Sequence, residues 1–420
     1  MFNFLPMDDR AVSPMAGHID APFFADIDRR SIKPDLPLDK YLLEVAARTA
    51  AQAALAIVDG DLALPENAIV DLASWSDPHM AKLIEAFAGL GRPLADAGIW
   101  PVVEGSSAPR VSFSDLYAWP GAHTHQLTPA KLANVANAAI LPPSIGEARL
   151  GRVRALAAAV SLPLSPSEDT LSYWSEAIVT HLAAKGRHSQ RLWRDFYDDV
   201  VAVYAATSIP LSSLEGKRLF PDGDGKLLRA TAGGLAGAPP VFHRIGKDAG
   251  RRGEGPPSPP SSLSRKFRFL SQSIEISEPS LRVFEKAGLL RRYDPLEVLN
   301  GLNGVLGSSP IDNQRREALI WAYRVWRNTG SKAVEDGLRE AGLSIPCLAG
   351  WFPASDSFFS ASWTTIGRTL ELYLHEASPQ SADANEQKGK LVCQFCELAA
   401  RRIRRSTGRL VALPWRTRST

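Results

Sequence analysis

Cysteine is scarce. Cys347, Cys393 and Cys396 are the only three in 420 residues, too few for a disulfide framework, so a reducing cytoplasm is the expected compartment. Long apolar runs are missing as well. The stretch at 50–58, AAQAALAIV without its first residues' polar flank, falls far short of the length that crosses a bilayer, so no membrane partner is expected. The first residues lack a basic region followed by an apolar one, so no secretory signal is expected. There is no G-x-x-x-x-G-K-S/T phosphate loop, no nucleophile elbow and no separable pair of catalytic carboxylates. A calcium loop at DGDGK is excluded, because Lys226 takes its fifth position and Gly233 its twelfth, where a glutamate is needed.

What remains is ordinary in bulk and uneven in charge. Hydrophobic residues make up 45% and charged residues 22%, the balance of a chain that buries cores, and the length fits roughly two or three domains. The net charge of +3 hides an asymmetry. Residues 388–420 hold nine Lys or Arg against one acid, Glu397, while the other 387 residues hold 39 basic and 44 acidic side chains. A mildly acidic body therefore carries a strongly basic tail.

Periodicity predicts mostly helices. Residues 38–58 place Leu38, Tyr41, Leu42, Val45, Ala46, Ala53, Ala56 and Ile57 on an expected apolar face. Around 77–91, Asp77 is the expected N-cap, Pro78 the first helical residue and Gly91 the stop, with Leu83, Ile84, Phe87 and Leu90 as the stripe. Thr128 and Pro129 repeat that grammar. A helical pair is expected over 165–206, hinged near Gly186, and further helices over 277–306 and 309–328. Strands are expected at 2–6, 19–27 and 100–103, and around KLLRA. Residues 246–265 contain twelve Gly, Pro or Ser in twenty, a composition that cannot bury enough apolar area to offset chain entropy. The expected fold is a multidomain α+β protein, mainly α-helical with small mixed or antiparallel sheets. Its expected parts are an α+β region at 1–245, a linker or loop at 246–265, a helical domain at 266–387 and a basic, disordered tail at 388–420.

One segment carries a resemblance. Residues 4–30 contain Leu5-Pro6, then Ser13-Pro14, His18-Ile19-Asp20, Phe23-Phe24 and Asp28-Arg29-Arg30. This order resembles the segment that follows the ATP-binding domain in sacsin-like proteins, whose nucleotide fold is of the GHKL type. EGKRLFPDGDGKLLRA resembles that family's strand-turn-strand element, and LSIPCLAGWFPASDSFFSASW resembles a Gly-Trp-hydrophobic-Pro-Ala segment of its bacterial relatives. Together these matches touch 64 of the 420 residues. The resemblance implies a transducer-like role for 1–245 in a chaperone-like or defence-related ATP-driven protein. The family's Mg²⁺-holding Asn, water-orienting Glu and Asp-x-Gly-x-Gly precede its matching segment and have no counterpart before Phe4. The implied chain is therefore not itself an ATPase, and ATP and Mg²⁺ come only with a GHKL domain or chain acting as partner. With its abrupt start and a tail that abandons helical periodicity, an incomplete or split gene product is a further expectation.

The candidate sites follow from this. Arg29 and Arg30 are phosphate-sensing candidates by the same resemblance, since a guanidinium bridges phosphate oxygens bidentately; the alternative is an exposed strand end paired with Asp26 or Asp28. His18 reads as a turn-stabilising imidazole. No metal site or cofactor is expected: Cys393 and Cys396 form half a zinc site, with only the distant Cys347 and His375 to add, and His123 and His125 lack a third ligand. Trp174, Trp193, Trp321 and Trp326 fall among apolar neighbours as core residues. The competing function class is nucleic-acid binding through the tail, carried by Arg401, Arg402, Arg404, Arg405 and Arg409.

Overall fold

Residues Pro37–Asp59 form helix α1, and its packed face is built from small side chains. In the structure, a computed structural model, Leu43, Ala47, Ala50, Ala51, Ala54 and Ile57 are buried, while Leu38, Tyr41 and Val45 are exposed. This corrects the expected face. The alanine row lets α1 approach α2 (Glu66–Ala73) and α3 (Met80–Gly89) closely, and that contact decides the rotation of the helix over the pull of its bulkier residues. The helix ends at Gly60, whose φ of +86° is a left-handed cap that a side chain would strain. By length and composition α1 would also cross a membrane, alone among the described residues in doing so. The expectation that no stretch qualifies was too strong on those criteria, but α1 packs as a core helix, with Glu44, Arg48 and Gln52 facing solvent.

The structure describes residues 13–15, 17, 19–24, 36–62, 64–121, 123–185, 189–231, 240–243, 263, 267–271, 273–294, 302, 312–329, 332, 336, 344–347 and 350–353. The chain divides into two compact units, Met1–Ser213 and Leu214–Thr420. The expected linker at 246–265 lies outside the described residues except for Leu263, which is buried. The fold is α+β and mainly helical, with sheets of two or three short strands.

Unit 1 holds an apolar cluster drawn from α1, α2, α3 and the segments that follow them. Trp75, Met80, Leu83, Phe87, Ile99, Trp100 and Phe113 are at most 2% exposed, and burying each large side chain stabilises by roughly 2 kcal/mol. Trp100 meets Phe113 edge to face at 4.8 Å. Helix α3 starts at Met80 rather than Pro78, with Asp77 and Pro78 in the turn before it and His79 at the N-cap without a side-chain bond. Strands β1 (Trp100–Pro101) and β2 (Arg110–Val111) pair antiparallel. Helix α4 (Pro129–Ala136) begins as expected, with Thr128 Oγ1 accepting the Lys131 amide. Helix α5 (Glu147–Ala159) packs on α2, and the pair α6 (Glu168–Lys185) and α7 (Gln190–Thr207) completes the unit. The expected strand at 19–27 is not seen in its described part, since residues 19–24 join no ladder.

Unit 2 begins with an antiparallel hairpin of β3 (Arg218–Pro221) and β4 (Leu227–Arg229). A three-stranded parallel sheet follows, in the order β6 (Arg268–Phe269), β5 (Val241–His243), β7 (Arg291–Arg292). Helix α8 (Glu278–Lys286) connects β6 to β7, as parallel strands require. Ser277 caps it, accepting the Ser280 amide. The expected helix over 277–306 thus stops at Lys286, just before Gly288, whose φ of +74° is left-handed, and Arg291–Arg292 join the sheet. Helix α9 (Asp312–Thr329) and the antiparallel hairpin β8 (Ser344–Cys347) and β9 (Gly350–Pro353) come last. Aromatic rings fill this core: Phe267 and Phe269 pack edge to face on Trp321 at 4.9 and 6.3 Å, and Phe220 on Phe284 at 5.9 Å.

Candidate interaction surface

Residues 13–15, 17 and 19–24, the described part of the segment that carries the resemblance, lie as a strap on the rest of unit 1. Both the amide and the Oγ of Ser76 donate to the Pro14 carbonyl, at 2.7 and 3.3 Å. Pro14 is buried, and Met15 and Ile19 pack against the apolar cluster. At the far end the Phe24 amide donates to Asp39 Oδ1 at 2.8 Å. Asp39 stands in the first turn of α1, where a carboxylate favours the helix dipole. It is fully buried, and its Oδ2 has no hydrogen-bond partner among the described residues.

The strap thus ends on Asp39 of α1. Leu38, Tyr41 and Val45 follow one another at helical spacing there, 44%, 60% and 42% exposed, and Phe24 is 55% exposed. Single exposed apolar side chains are ordinary, but three on one helix face form an apolar surface. Lys40, Glu44 and Arg48 lie among them, and Glu44 accepts from Lys82 Nζ at 3.0 Å. An apolar stripe with charged neighbours is suited to binding another protein surface.

The arginines expected to sense phosphate, Arg29 and Arg30, lie outside the described residues, as do His18, His375, Cys393, Cys396 and the tail's Arg401, Arg402, Arg404, Arg405 and Arg409. DGDGK is the turn of the β3–β4 hairpin, where Asp222 Oδ1 accepts the amides of Asp224 and Lys226 at 3.0 and 2.9 Å. His123 and His125 are exposed loop residues. Among the described residues no three His, Cys, Asp or Glu gather to hold a metal ion. Trp174, Trp193, Trp321 and Trp326 are all buried.

Three polar clusters had no sequence signal. Asp199 on α7 accepts the consecutive amides of His125, Gln126 and Leu127 across more than seventy positions of chain. Burial pushes its carboxyl above the usual range, and the three amides pull it back part of the way. Lys131 Nζ closes the same loop, donating to the His125 carbonyl at 2.9 Å and to Gln126 Oε1 at 2.6 Å. Asp71 on α2 accepts from Arg149 and Arg152 on α5, and that bond raises the Arg149 pKa. In unit 2, His243 Nε2 lies 2.6 Å from Glu285 Oε1. Aspartates and histidines of this kind are common, and only long-range packing gives these their partners.

No protein-family model, curated protein or solved structure matches the chain.

Proposed function

We propose that this chain is a non-catalytic coupling and interaction portion of a sacsin-like, ATP-driven protein of the cytoplasm. The observation that carries the reading is the strap formed by 13–15, 17 and 19–24. It belongs to the segment whose residues resemble the one after a GHKL nucleotide domain, and it is clamped to unit 1 at Ser76 and Asp39. Leu38, Tyr41 and Val45 are exposed on the helix it is bonded to, and Phe24 is exposed as well. A segment fixed at both ends transmits displacement into the helix it is bonded to, and an apolar helix face gives a moving partner something to hold. In this reading the nucleotide and Mg²⁺ stay with a GHKL domain or chain, and Arg29 or Arg30 reaches toward the γ-phosphate.

The test is co-expression with a GHKL-type ATPase encoded beside this chain. The two should elute together in size exclusion, and Leu38→Glu with Tyr41→Glu should separate them. Titration of this chain alone with Mg-ATP should give no heat of binding. Saturable micromolar binding to the isolated chain, or a pair that never co-elutes, overturns the reading.

A second reading rests on the charge asymmetry. The nine cationic side chains of 388–420 against one acid suit a non-specific phosphate backbone, and in this reading the protein is nucleic-acid-associated through its tail.

A further inference from the structure

His243 closes β5, the middle strand of the parallel sheet, and is 2% exposed. The Glu285 side chain that meets it is 33% exposed, so the pair runs from the interior of unit 2 to its solvent edge. An ionised carboxylate only accepts, so the neutral imidazole presents Nε2–H to it. Glu285 lies on α8, the crossover between β6 and β7. The bond therefore ties the crossover helix to the centre of the sheet, next to the Phe220–Phe284 contact.

The charges around His243 come from three elements. Helix α8 brings Glu285 and Glu278, and β7 brings Arg292, which is in register with His243. Strand β6 brings Arg268, opposite Val241 and so on the same sheet face, its guanidinium donating to the Arg229 carbonyl and the Thr231 hydroxyl. We propose that the His243–Glu285 pair is a proton-sensitive latch, which holds α8 on the sheet while His243 is neutral and loosens it when the imidazole takes a second proton. The reason is desolvation. A buried imidazolium beside Arg292 loses its water, and the attraction of Glu285 and Glu278 returns only part of that loss, so burial holds the His243 pKa below its ordinary value. Hydrating the cation means opening the pair toward its exposed end, which is α8.

Hydrogen exchange read by mass spectrometry on peptides covering Glu278–Lys286 tests this in the full chain. Corrected for intrinsic rates, protection of α8 in the wild type should fall several-fold, up to about tenfold, between about pH 7.5 and about pH 5.5. His243→Gln keeps a donor for Glu285 and does not titrate, so its protection should not change over that range. Equal wild-type protection at both pH values, or the same fall in His243→Gln, overturns the latch. If His243→Gln does not fold, Glu285→Gln decides: without the carboxylate the loosening should move to lower pH, and an unmoved midpoint overturns the proposal.

Discussion

Arg149 grips Asp71 through one edge of its guanidinium, Nε to Oδ1 and Nη2 to Oδ2, each at 2.8 Å. The pair joins α5 to α2 across 78 positions, and Arg152 Nη2 adds a third bond to the same carboxylate at 2.7 Å. Asp71→Ala strands two partly buried guanidiniums and should cost about 3 kcal/mol. Arg149→Ala should cost about 1 kcal/mol, because that side chain is 34% exposed and water screens it. Urea unfolding monitored by tryptophan fluorescence checks the ratio. Equal losses for the two variants would mean that Arg152 does not depend on Asp71.

Asp199→Ala removes the acceptor of three backbone amides at once. It should cost about 3 kcal/mol and speed exchange of the His125, Gln126 and Leu127 amides. Asp199→Asn keeps one acceptor oxygen and should cost less. The pH dependence has a definite sign. The folded-state pKa of Asp199 is raised above 3.8, so its ionisation is easier in the unfolded chain. Its contribution is fully present below the ordinary value and declines as pH rises through the folded one. The stability gap between wild type and Asp199→Asn should therefore narrow from about pH 3 to about pH 6. A gap that widens over that range contradicts the assignment.

The orientation of α1 is open to direct test. Ala51 and Ala54 are fully buried against the core, and Tyr41 is 60% exposed. Ala51→Leu should destabilise by about 2 kcal/mol through overpacking. Tyr41→Ser should leave thermal stability within about 0.5 kcal/mol. The reverse order would restore the face expected from the bulkier residues.

The basic tail makes a quantitative prediction. If it binds duplex DNA, each neutralised phosphate adds about −0.9 to the slope of log K against log salt. Deleting 388–420 should then abolish binding, because the remaining residues hold 39 basic and 44 acidic side chains. Electrophoretic shifts at increasing salt, with and without the tail, are the measurement. Binding that survives the deletion assigns the contact to the body, and no binding at low salt removes the tail reading.

Local chemistry made much of the fold legible. The Thr128-Pro129 start of α4, the break between α6 and α7 and the hairpin turn at Asp222 follow from capping, turn and periodicity rules that act within a few residues. Trp174, Trp193, Trp321 and Trp326 declared themselves as core by their apolar neighbours in sequence. Where neighbours in sequence were also neighbours in space, reading the chain sufficed.

By itself the sequence determined a mainly helical α+β chain and an acidic body with a basic end. Only tertiary structure decided which side of α1 is covered, because an alanine row outcompetes a Leu-Tyr-Val row when two other helices must come close. It also paired Arg291 and Arg292 with β5, a partner about fifty positions away. And it chose the partners of Asp71, Asp199 and His243, whose bonds span 42 to 81 positions. A buried charge needs a partner, and the chain supplies that partner only once the fold has brought distant segments together.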